Sequence, residues 1–131
     1  MRVTADEREL LEQFAALSYP LEFLDHAEHV RLAWTLLAEQ PLLGGMCAFR
    51  RLLRAYAEHH GADAKYNETI TCFYLLLIRE RMDRLDANHS WNEFRIANPD
   101  LFGSSKAFLE HWYPDGAAFS PEAKAAFCLP E

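Results

Sequence analysis

The chain has 131 residues, half of them hydrophobic and 13% aromatic, with 20 acidic residues against 13 basic ones for a formal charge of −7. That balance excludes a disordered chain and predicts one domain, residues 1–131, able to bury a core without a covalent staple. The arginines fall in short groups (Arg50, Arg51, Arg54; Arg79, Arg81, Arg84) interleaved with acids. No face of one positive sign is expected, which argues against a nucleic-acid partner.

The first predicted helix opens at a capping box, Thr4 with Glu7 three residues on, and carries Leu10, Phe14 and Leu17 on one stripe. Ser18-Tyr19-Pro20 ends it. Asp25 with Glu28 repeats the capping spacing and starts a second helix running to about Gln40, before Pro41. Gly44 and Gly45 are expected to precede a third helix, roughly Met46 to His60, closed by Gly61. A fourth, about Glu68 to Leu85, is apolar nearly all the way round at its start and is expected to be the most buried. Shorter helices are predicted around Trp91–Ile96, Ser105–Trp112 and after Ser120-Pro121. The fold class is therefore all-α: a four-helix core with short C-terminal helices packed across it as a clasp.

The longest apolar stretch, Ile70 to Ile78, is too short to span a membrane. The N-terminus is charged and lacks the apolar segment of a secretory leader. The cysteines Cys47, Cys72 and Cys128 are odd in number and form no C-x-x-C pair. They are expected to be buried free thiols in a reducing, cytoplasmic setting.

Helical spacing of about 100° per residue sets which polar groups look inward. On the second helix His26, His29, Val30, Ala33 and Leu37 share a stripe, opposite Glu28, Arg31, Thr35 and Glu39. On the third, Met46, Phe49, Leu53, Tyr56, Ala57 and His60 form the inward stripe. On the fourth, Glu68 groups with Thr71, Cys72, Leu75 and Met82. Antiparallel neighbours joined by short connections bring the start of the second helix, the end of the third and the start of the fourth to one pole. His26, His29, His60 and Glu68 are expected to converge there.

Three imidazoles and a carboxylate suit zinc, or iron with open positions, as the cofactor. His26, His29 and His60 would be metal ligands, and Glu68 a fourth ligand or a catalytic general base acting on metal-bound water. Trp34 and Tyr66 would wall the pocket, and Lys65 would orient an anionic substrate. Two other readings use the same residues: a metal-free pocket for a small polar ligand, and a structural polar network in which Glu68 pairs with Lys65 or an arginine. A non-catalytic module binding a small ligand or a partner protein is the rival to an enzyme. No phosphate loop, nucleophile elbow or dinucleotide fingerprint occurs.

The segments HAEHVRLAW, HGADAKYNETIT, NPDLF and WYPDGAAFSPEAKAAF, with a late LP, resemble a family of small bacterial all-helical proteins of no assigned activity. Its members occur alone or beside or fused to enzymes. The likeness runs from about Phe23 onward. It implies a shared site at His26, His29, Arg31, Trp34, His60, Lys65, Tyr66, Glu68 and Thr69. Where the family shows His in K-Y-H-E-T this chain has Asn67, which offers a weaker oxygen ligand and implies a weaker metal site.

Overall fold

The computed structural model describes residues 1–130. The chain is all-α, with no sheet among the described residues. Its one extended contact is an isolated parallel bridge between Arg2 and Ser90. The longer helices are α1 (Ala5–Ala15), α2 (His26–Glu39), α3 (Leu42–His59) and α4 (Glu68–Asp83); α5 (Trp91–Ala97), α6 (Ser105–Trp112) and α7 (Pro121–Ala125) follow. Single 3₁₀ turns at Leu21–Phe23, Asp63–Lys65, Pro99–Phe102 and Pro114–Phe119 join them.

The starts follow the capping chemistry. Thr4 and Glu7 form a reciprocal capping box at α1, and Ser90 with Glu93 forms another at α5. Asp25, Asn67, Ser104 and Ser120 accept backbone N–H groups at the starts of α2, α4, α6 and α7. One start departs from expectation. Helix α3 begins directly after Pro41, so Gly44 and Gly45 lie inside it. A Cβ on Gly45 would lie 2.9 Å from a Leu37 methyl and 3.5 Å from the α2 backbone, so the glycine admits the close approach of α3 to the end of α2. Leu17, expected on the α1 stripe, falls past the helix end with φ 61.

Helix α2, rather than α4 alone, sits at the centre. It packs against α1, α3 and α4, and Leu32 to Leu37 are buried without a break. Thr35, placed outward by the helix wheel, is fully buried because α1 covers that face. Glu7 of α1 is 3% exposed and accepts a 2.5 Å hydrogen bond from the Arg31 guanidinium. Burial pushes the Glu7 carboxyl up, yet hydrogen bonds from Arg31 and Thr4 hold it below the ordinary carboxylate range.

At the other end, the start of α4 anchors the C-terminal segments. Asn67 Nδ2 donates to the Ala118 carbonyl at 2.7 Å. Thr69 Oγ1 donates to Ala126 O and accepts the Cys128 N–H. These bonds hold α7 against α4 and place Phe119 beside the hollow described below. Of the cysteines only Cys72 is buried. Cys47 is exposed on α3 and Cys128 half-buried, so the expectation of three buried thiols fails for the two whose apolar neighbours in sequence point elsewhere. No helix among the described residues is long and apolar enough to cross a membrane.

Candidate functional site

Three helical stripes enclose a cavity of about 440 Å³. From α2 come His26, His29, Val30 and Ala33, spaced i, i+3, i+4, i+7, so that they stand on one face. From α3 come Phe49, Leu53, Tyr56 and Ala57, with His60 just past its end. From α4 come Ile70, Thr71, Tyr74, Leu75 and Ile78, preceded by Lys65, Tyr66 and Asn67. Leu21, Phe119 and Lys65 border it while remaining exposed, and so form its rim. The volume lies within the range of small-molecule sites, which are mostly apolar with a few placed polar groups.

The polar groups on this wall differ in how far the chain already satisfies them. His26 Nε2 lies 2.8 Å from the Leu101 carbonyl. That bond requires the proton on Nε2. His29 Nδ1 lies 3.0 Å from the Asp25 carbonyl, which fixes its proton on Nδ1 and leaves Nε2 as an acceptor. Burial lowers the His29 pKa against the opposing pull of that carbonyl, keeping the ring neutral near pH 7. His60 packs its ring on Tyr56 with centroids 4.4 Å apart, and its Nε2 is buried without a hydrogen-bond partner. Tyr74 makes no hydrogen bond among the described residues, and burial pushes its hydroxyl up to about 12, so it remains a donor. Tyr56 is spoken for by a 2.6 Å bond to Tyr19 O. Asn67, expected to contact a ligand, caps α4 through Oδ1 and holds Ala118 through Nδ2. Its place on the wall is thus a structural post.

The predicted quartet does not assemble. His26, His29 and His60 border the cavity, but Glu68 does not; it faces Arg50 on the flank of α3. Arg50 donates Nε to Oε1 at 2.8 Å and Nη2 to Oε2 at 2.5 Å, Tyr66 Oη donates to Oε1 at 2.7 Å, and Cys72 Sγ lies 3.7 Å away. Hydrogen bonds from Arg50 hold the carboxyl at about 2 despite burial. A carboxylate so occupied is neither a free ligand nor a base matched to neutral pH. Among the described residues no group of three or more His, Cys, Asp or Glu is arranged to hold a metal ion. The physical reason is register: Glu68 follows Asn67 by about 100°, and the wall stripe runs through Asn67, Thr71 and Tyr74 rather than through Glu68 and Cys72.

Trp34 is corrected in the same way. It follows Ala33 by one residue and turns away from the cavity into the core, fully buried. Its Nε1–H donates to His89 Nε2 at 3.0 Å, while His89 Nδ1 donates to the Asp86 carbonyl at 2.8 Å. Lys65 and Tyr66 border the cavity. Burial and the bond to Glu68 raise the Tyr66 hydroxyl to about 12, and the Arg54 guanidinium lies 4.5 Å over its ring. The partner of Glu68 is an arginine, as one of the readings had it, and that arginine is Arg50. Its only signal was the need of a buried Glu68 for some cation, which does not say which arginine supplies it. The rim residues Leu21 and Phe119 carried no signal either, since both sit in turns.

No family model, no curated protein and no solved structure matches this chain.

Proposed function

We propose that the chain is a non-catalytic binding module that holds one small, largely apolar molecule between α2, α3 and α4. The observation that carries the reading is an apolar-walled cavity of about 440 Å³ bordered by His60, whose buried Nε2 has no partner inside the chain. A core under selection for packing alone closes such voids and satisfies such atoms. The nine positions that the resemblance implies divide accordingly: His26, His29, His60, Lys65 and Tyr66 border the cavity, while Arg31, Trp34, Glu68 and Thr69 serve the frame.

Filling the hollow tests this. Ala57 lies on the wall and is not fully buried, so Ala57→Trp extends into existing space. The variant should melt at or above the wild-type temperature, because filling a void typically adds about 0.5–2 kcal/mol. It should also lose the saturable fluorescence increase of anilinonaphthalene sulfonate expected of the wild type. A wild type without saturable binding, or a variant binding equally well, refutes the reading.

A metal-dependent reading retains one observation, the three histidines that border one cavity. It requires His26 and His29 to present their remaining nitrogens together with His60, without help from Glu68. Protein purified without tag or chelator that carries about one equivalent of zinc or iron would reverse the preference between the two readings.

A further inference from the structure

We propose that the occupant of this cavity is a carboxylic-acid amphiphile, its apolar body among Val30, Phe49, Leu75 and Ile78 and its carboxylate at the His60 and Lys65 end. The inference rests on the binding reading above and names the class of molecule.

The wall composition points this way first. The chain has 20 acidic residues, yet no Asp or Glu borders the cavity; the charged or chargeable groups with nitrogen there are Lys65 and three histidines. Lys65 makes no ion pair or hydrogen bond through its ammonium among the described residues, although it borders the cavity at its exposed rim. Asp63, two residues away, does not pair with it. A second cation sits close by, since Lys124 Nζ donates to the Ala64 carbonyl at 2.8 Å. An anion arriving at this rim therefore meets positive charge that the fold has not neutralised.

The second support is His60. Its Nε2 is shielded from water and has no acceptor or donor inside the chain. Turning the His60 ring toward the hollow would bring Nε2–H to a carboxylate oxygen, which answers the unmet bond. The apolar part of the wall is Val30, Ala33, Phe49, Leu75 and Ile78, which suits a hydrocarbon body. Exposed Leu21, at 50%, and Phe119, at 57%, flank the entrance and suit an apolar body passing between them. An amine head would place a cation beside Lys65, and an alcohol would supply the hydrogen bond without the charge.

The test compares decanoate, decanol and decylamine by titration calorimetry on the full chain, with Ala57→Trp as the blocked control. Decanoate should bind at least tenfold tighter than the other two. Lys65→Gln, at an exposed position, should bring decanoate down to the affinity of decanol while leaving decanol unchanged, and His60→Phe, which keeps an aromatic ring, should weaken decanoate and decanol alike. Equal affinities, or a preference for the amine, overturn the carboxylate assignment and leave the cavity reading standing. A decanoate preference that survives Lys65→Gln overturns the placement of the head. Failure of all three molecules to bind overturns the inference and the binding reading together.

Discussion

Helices α3 and α4 present two hollows, and Tyr66 stands between them. On the flank of α3, Cys47, Arg50, Arg51, Arg54 and Glu58 border an open groove, where Arg50 is locked on Glu68 and Arg54 lies over Tyr66. On the inner side lies the α2–α3–α4 cavity, whose wall keeps His60 Nε2, Tyr74 and Lys65 without partners inside the chain. The contact at the base of the flank is closed: the buried Glu68 carboxylate has three hydrogen bonds from Arg50 and Tyr66, while Arg51 and Glu58 at its exposed edge form no ion pair among the described residues. The inner wall is open. Titratable residues gathered in one place thus divide by whether their bonding capacity is already used, and that separates frame from candidate receptor more sharply than residue type does.

The strongest way to break this contrast is to open the closed side. Arg50→Ala leaves Glu68, 8% exposed, without its main cation. The expected loss is about 3 kcal/mol, at the low end for a buried pair because the Arg50 side chain is a third exposed. Urea denaturation measures it. Combining Arg50→Met with Glu68→Leu should recover most of the loss, since an apolar pair asks for no compensation. A single variant within about 0.5 kcal/mol of wild type would mean that the flank is solvated and the two hollows are alike.

Acid probes the same contact from the other partner. Folded Glu68 takes its proton at about 2 and the unfolded carboxyl at 4.5. Between those values the unfolded chain binds the extra proton, so the stability contributed by this group is whole above 4.5 and disappears as pH falls toward 2. Other carboxylates titrate in that window as well, so the informative quantity is the difference from Glu68→Gln. Wild type should lose about 2 kcal/mol more than the variant between pH 5 and pH 2.5. Parallel curves would show that Arg50 does not hold the carboxylate in solution.

How much of this was visible in the residues follows the physics of each step. Caps are local, and Thr4, Asp25 and Ser120 each announce a helix within three residues, whereas Asn67, read as a ligand, turns out to cap α4. The inward stripes of α2 and α3 are periodic and were readable, so His26, His29, Ala57 and His60 fall on the cavity wall as the wheel placed them. What periodicity does not resolve is a rotation of about 100° on a helix that is apolar all round. Helix α4 is such a helix, and that ambiguity moved Glu68 from the inner wall to the flank. Trp34 shows the same limit on α2, where buried residues occupy every side and the indole had two interior directions to choose from. Partner choice was invisible too: Arg50 lies 18 positions from Glu68, and Glu7 lies 24 from Arg31.

The smallest expected effect concerns the dryness of the open side. His29 lies on the cavity wall, its Nδ1–H bonded to Asp25 O, with His26 and the Asp25 carboxylate as the chargeable groups that act on it. Burial holds its folded pKa below the 6.5 of an unfolded imidazole, while Asp25 pulls the other way. As pH falls below 6.5 the unfolded state therefore protonates first, and stability declines until the folded pKa is passed. Urea midpoints at pH 7.5 and 5.5 should fall more for wild type than for His29→Gln. The ring nitrogen shifts of the folded protein at pH 7 should report a neutral imidazole protonated at Nδ1. An imidazole that protonates at 6.5 or above in the folded state means water reaches this wall freely. His60 Nε2 then has a solvent partner after all, and the distinction between a closed flank and an open, dry receptor fails at its weaker end.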